Sequence, residues 1–243
     1  CSKKAESKVP DKLIVGTNAE FPPFEYMNDK KQPEGFDIAM IKEIGKRMGK
    51  KVEIKNMEFK SLIGAMESDS INAIIAGMTK TEKREKAVDF SDSYYTTNQA
   101  IILKKDSKIT KLAQLDGKKI GVQEGTTGDL ISSGDKFGDG KKAKVLVKGA
   151  KVKRFKKGVD AVMDLKNGSV DAVVIDELTA NEFVKKNAKK LKIVIDSAGS
   201  EYYCIALTKG NTAYKEEVNK QIKAIKEDGT YDKLKAKYID SKN

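Results

Sequence analysis

Few residues in this chain have the types and spacing needed for acid–base or nucleophilic chemistry. It contains no histidine, which removes the imidazole base, the Ser–His pair and the histidine metal ligand together. Two cysteines, Cys1 and Cys204, cannot build a thiolate cage for a metal. Cys204, inside an apolar strand signal from Tyr202 to Leu207, reads as a small core residue. No carboxylates stand at a spacing that demands chemistry. What remains are isolated polar groups at the ends of apolar runs, a pattern that suits holding a small molecule.

Thr79, after Gly77, follows the strand signal at 74–76. Its hydroxyl and backbone offer a ligand both a donor and acceptors. The same threonine fits a helix cap with Glu82, a job that Thr81 can also do. Asp176 closes "AVVID", where it either accepts hydrogen bonds from a ligand or caps the next helix. Parallel sheets place ligands outside the carboxyl ends of their strands, which favours the first. "EGTTGD" (124–129), with Gln123 before it and Thr127 inside it, exposes backbone N–H groups that suit a carboxylate. It is not a phosphate loop, because no Gly-Lys-Ser/Thr follows. Arg84 offers two parallel N–H donors that match a carboxylate; a surface arginine paired with Glu82 or Glu85 fits the sequence equally. In "GTNAEFPPFEY" (16–26) two prolines stand between two phenylalanines. Fixed φ angles and missing N–H donors predict a stiff, exposed turn carrying rings.

The elements that position these groups are legible as an internal repeat. "SLIGAMESDSINAIIAG" (61–77) overlays "DAVMDLKNGSVDAVVID" (160–176) at an offset of 99 residues. Each copy reads as a short amphipathic helix, a polar turn and a fully apolar strand of a buried parallel sheet. Upstream of each lies another strand, at 13–21 and 119–127. Ile38, Ile41, Ile44 and Met48 mark a helix stopped by Gly49. Tyr214, Val218, Ile222 and Ile225 mark another, and Gly229-Thr230 opens a last one through Tyr238. The runs 98–106 and 201–210 are candidates for connecting strands. The chain is therefore predicted to be α/β, with two similar lobes of mainly parallel sheet joined by two hinge strands near 97–103 and 200–206. Residues 11–98 and 203–243 would form lobe 1 and 99–202 lobe 2, after a polar tether over 1–10. Loops from the two lobes would then enclose one ligand.

At 243 residues, 39% apolar and 35% charged, the composition is that of a globular protein. No run of about 18 apolar residues exists to span a bilayer. The net charge of +12 is carried by short lysine runs mixed with acids. No arginine stripe with interleaved aromatics is present, so nucleic acid is not an expected partner. A chain beginning Cys-Ser-Lys-Lys reads as a processed lipoprotein, lipidated on Cys1 and anchored outside the bacterial cell membrane.

"GTNAEFPPFEY", "GFDIAMIKEIGKRMG" (35–49), "AGMTKTEKREKAVDFSDSYY" (76–95), "LDGKKIGVQEGTTGDL" (115–130) and "DGTYDKLKAKY" (228–238), in this order, resemble the polar amino-acid-binding proteins of ABC importers. The resemblance implies the type II periplasmic-binding-protein fold and a ligand-binding set. Lobe 1 would supply Asn18, Phe21, Phe59, Gly77, Thr79 and Arg84; lobe 2 would supply Gln123, Thr127 and Asp176. Arg84 corresponds to the carboxylate clamp, Asp176 to the ammonium acceptor, and Phe21 and Phe59 to two rings around the ligand side chain. Gln123 would face the slot that reads that side chain. Asn18 stands where relatives selective for cationic ligands often carry Asp; Glu20 or Glu177 would restore the charge if they point inward. The implied function is capture of arginine, lysine, histidine or glutamine by lobe closure and delivery to an ABC permease, by a monomer without cofactor or metal. A sensor domain and a cyclohexadienyl-type dehydratase on the same fold are the alternatives.

Overall fold

Leu13, Val15, Gly16 and Thr17 are all buried in β1 (Lys12–Thr17) of the computed structural model, which describes residues 7–240. A strand covered on both faces has no need of polar alternation, which is why its sequence is continuously apolar. After it, β2 (Glu20–Phe21), β3 (Glu25–Met27) and β4 (Pro33–Glu34) form a small antiparallel sheet around the Pro22–Pro23 turn. That turn is not the exposed one expected. Phe21, Pro23, Phe24 and Glu25 are all buried, because Phe24 stands edge-on to Phe36, Tyr95 and Tyr203 and draws the hairpin inward.

The helix α1 (Phe36–Arg47) buries Ile38, Ile41 and Ile44, with Asp37 in its first turn and Lys46 and Arg47 in its last, complementing the helix dipole. β5 (Lys51–Asn56), α2 (Leu62–Glu67), β6 (Ala73–Ile74) and the single-turn α3 (Glu82–Glu85) follow. The 17-residue β7 (Val88–Lys104) then carries the chain into a second set of elements. These are β8 (Lys119–Gln123), α4 (Thr127–Ser132), a ribbon of β9 (Lys136–Phe137) and β10 (Lys144–Val145), β11 (Lys151–Phe155), α5 (Gly158–Asn167), β12 (Ala172–Asp176) and α6 (Glu177–Lys185). The 18-residue β13 (Leu191–Thr208) leads back, ahead of α7 (Thr212–Glu227) and α8 (Thr230–Tyr238).

The chain divides into two units, one running to Tyr95 and resuming at Tyr202, the other Thr96–Glu201. In the first, the strand order is β5-β1-β6-β13. β1 lies parallel to β5 and β6, and β13 runs antiparallel to β6. In the second, the order is β11-β8-β12-β7, with β8 parallel to β11 and β12 and β7 antiparallel to β12. The two sheets are the same design, and Ala73 and Ala172, 99 residues apart, begin the equivalent strands. Each unit has its own apolar core. One gathers Phe59, Leu62, Ile74, Val88 and Cys204; the other Ile101, Ile120, Val122, Ile131 and Val174. Burial pushes the Cys204 thiol up to about 11, consistent with a packing role. Both connecting strands begin well before their apolar signals at 98–106 and 201–210. Among the described residues no helix is long and apolar enough to cross a membrane.

Candidate functional site

In the first unit the carboxyl ends of β1 and β6 carry most of the expected groups. Asn18 follows β1, and its Nδ2 donates to the Met57 carbonyl at 2.8 Å. Gly77 follows β6 with φ +52°, a conformation that costs other residues a steric penalty. A Cβ there would lie 3.1 Å from the Phe21 ring and 3.3 Å from Tyr203, so glycine allows the loop to rest on both rings. Its N–H donates to Asp37 Oδ2 at 2.7 Å. Asp37 is wholly buried, and that burial raises its pKa; Glu25, the Gly77 N–H and Tyr94 oppose the rise by hydrogen bonding.

Thr81, not Thr79, caps α3: its hydroxyl accepts from the Arg84 N–H at 3.2 Å. Thr79 is thereby released from that role, and its carbonyl accepts from Arg84 Nη1 at 2.6 Å. The guanidinium carbon stands 5.4 Å from the centroid of the Phe59 ring, within cation–π range. Glu85, the alternative partner for Arg84, pairs with Lys80 at 3.0 Å. Phe59, Thr79 and Arg84 are thus brought together, with Arg84 only 9% exposed. Phe21 packs against Phe24, with ring centroids 6.3 Å apart.

In the second unit Asp176 occupies the cap position of α6, but its side chain makes no capping bond. Oδ1 instead accepts from Gln99 Nε2 at 2.6 Å. The same nitrogen reaches Glu201 Oε1 at 2.6 Å and Thr127 Oγ1 at 3.1 Å. The Thr127 hydroxyl donates to Glu201 Oε2 at 2.7 Å. All four residues are buried, none more than 4% exposed. Thr127 starts α4, whose cap is Thr126; that hydroxyl accepts from the Asp129 N–H. Gln123 is tied down by its own amide, which donates to the Lys156 carbonyl at 3.2 Å. Glu177 accepts from Asn98 at 3.1 Å. Cys1 lies outside the described residues.

Gln99 and Glu201 are members of this cluster that the sequence reading passed over. Both sit in runs that read as connecting strands. The signal for them was a polar residue placed directly before an apolar stretch, Ala100–Leu103 and Tyr202–Leu207 respectively. The ladder then sets Gln99 opposite Asp176. Chemically, unit one offers a guanidinium braced by a carbonyl and a ring. Unit two offers carboxylates and a hydroxyl arranged around one amide. A guanidinium suits a carboxylate, and a carboxylate suits an ammonium.

Paired α/β units of one design, with buried polar groups near their strand ends, fit a solute-binding class. Residues 13–241 match the model of the bacterial extracellular solute-binding proteins, family 3, and the chain belongs to that family. It is 35% identical over 231 residues to the arginine-binding extracellular protein ArtP of Bacillus subtilis, covering 94% of this chain and 86% of that one. Among solved structures it resembles an ancestral arginine-binding protein bound to arginine, at 41% identity and TM-score 0.83, covering 96% and 100% of the two chains. It also resembles the ancestral amino-acid-binding protein AncCDT-1, a precursor of cyclohexadienyl dehydratase, at 32% identity and TM-score 0.82, covering 94% and 95%.

Proposed function

We propose that this protein captures a free polar L-amino acid, arginine foremost, outside the cytoplasm and presents it to an ABC permease. Arg84 takes the α-carboxylate as a two-pronged donor. Asp176 and Thr127 take the ammonium, while Phe21 and Phe59 flank the side chain, with Asn18, Gly77, Thr79 and Gln123 shaping the remaining wall. Groups of both units serve one ligand, so binding favours the arrangement in which both engage it. A lipid on Cys1 would tether the protein to the membrane. The ligand leaves unchanged, a reading supported by the binding proteins among the relatives.

The observation that supports this reading most is the fate of Asp176. It stands at a helix start, where an aspartate normally caps, yet turns to a buried polar cluster instead. The arginine-binding relatives support the choice of first ligand. A thermal-shift screen against the twenty amino acids tests it. A ligand at about one hundred times its dissociation constant stabilises by roughly 2.7 kcal/mol. Arginine, or failing that lysine, histidine or glutamine, is expected to raise the melting temperature and to be recovered intact. A flat response to all twenty contradicts the reading.

A further inference from the structure

The donor and acceptor inventory around Thr127 points to a role for Glu201 that the strand pattern does not announce. A threonine hydroxyl has one proton to donate and two lone pairs. The proton of Thr127 goes to Glu201 Oε2 at 2.7 Å. Gln99 Nε2 has two hydrogens and three acceptors in reach. The carboxylates of Asp176 and Glu201, both at 2.6 Å, are served before Thr127 at 3.1 Å. With its proton committed, Thr127 can offer an incoming group only a lone pair.

The far side of the amide gives a second observation. Gln99 Oε1 is buried with no hydrogen-bond partner. Rotating the amide would aim that oxygen at two carboxylates, so the orientation is dictated by them, and the unmade bond is tolerated. Gly199 leaves room for the stem of this side chain: a Cβ there would lie 2.7 Å from Gln99 Cβ. Unmade buried bonds of this kind call for a reason, and here it is the alignment of the carboxylate pair.

We infer that Glu201 is a positioning residue for recognition of the ligand's ammonium: it turns the Thr127 hydroxyl into an obligate acceptor and, through Gln99, sets the orientation of Asp176. The group that fits a lone pair beside two carboxylates is a cationic N–H donor. This inference rests on the reading of the protein as an amino-acid binder and adds to it the residue that makes this end of the site selective for a charged amine.

The test compares two ligands, L-arginine and 5-guanidinopentanoic acid, which is arginine without its α-ammonium. Both are titrated calorimetrically into the wild-type protein and into Glu201→Gln and Thr127→Val. Wild type is expected to prefer arginine strongly. Glu201→Gln should weaken arginine by about tenfold or more, the scale of a charge-assisted bond, and change the analogue by less than about twofold. Thr127→Val combined with Glu201→Gln should lose little more than either change alone, because the two act as one unit. Equal weakening of both ligands, additive losses, or unchanged arginine affinity in Glu201→Gln would each overturn the role of Glu201 alone. If wild type binds no free amino acid, the underlying reading fails and this inference fails with it. Should Glu201→Gln not fold, the ligand comparison in Thr127→Val decides: a loss confined to arginine supports the obligate acceptor, and a uniform loss refutes it.

Discussion

The chemistry of this protein is set by which polar side chains are held and by what. Arg84 is gripped from two sides, by the Thr79 carbonyl at 2.6 Å and by the Phe59 ring, so little freedom is left to lose on binding. Asp37 does similar work for the backbone, fixing the Gly77 N–H at 2.7 Å. Its pKa is raised above 3.8, mainly by burial. The native state therefore holds the Asp37 proton more tightly than the unfolded chain. Stability falls as pH rises from 3.8 through the native value, with a slope of at most about 1.4 kcal/mol per pH unit. Urea unfolding across that window should show this fall in wild type and a flatter profile in Asp37→Asn; parallel profiles would remove Asp37 as its source. At this scale the sequence was informative about residue types, and Arg84, Thr79 and Asp176 stand out in it. Gln99 and Glu201 do not, because they are 102 positions apart. Only strand register can bring such residues together, and register is a tertiary property.

At the level of elements, the internal repeat made the helix–turn–strand units at 61–77 and 160–176 readable from pattern alone, since buried parallel strands are apolar throughout. Their lengths were not readable. β6 has two residues where its counterpart β12 has five, and the left-handed Gly77 turns the chain away soon after β6 ends. The burial of the Pro22–Pro23 hairpin was missed for a related reason: local φ constraints predict a turn but not which rings will cover it. The start of α4 depends on another glycine. A Cβ on Gly128 would lie 2.5 Å from the Val174 carbonyl oxygen and 3.2 Å from Gln99 Oε1. Backbone cannot yield there as a flexible side chain would. Gly128→Ala should destabilise by about 1–3 kcal/mol, read by denaturant midpoint, and weaken amino-acid binding by displacing Thr127. Wild-type stability and affinity in that variant would show that the helix start has slack.

Across the whole molecule, one design is used twice, each copy closing its own core and carrying buried polar groups near the carboxyl ends of its strands. Family membership gives that duplication its meaning. The +12 net charge says little about function here, since the groups proposed to bind are a few buried ones rather than the lysine surface. The central claim is that one amino acid is gripped at both ends, by Arg84 from one unit and by Asp176 from the other. Titration calorimetry of L-arginine against wild type, Arg84→Ala and Asp176→Asn tests it most directly. One ligand per chain is predicted for wild type, with a loss of about 2–5 kcal/mol in each variant, as expected on removing one member of a buried charge pair. Affinity that survives in either variant would contradict the account.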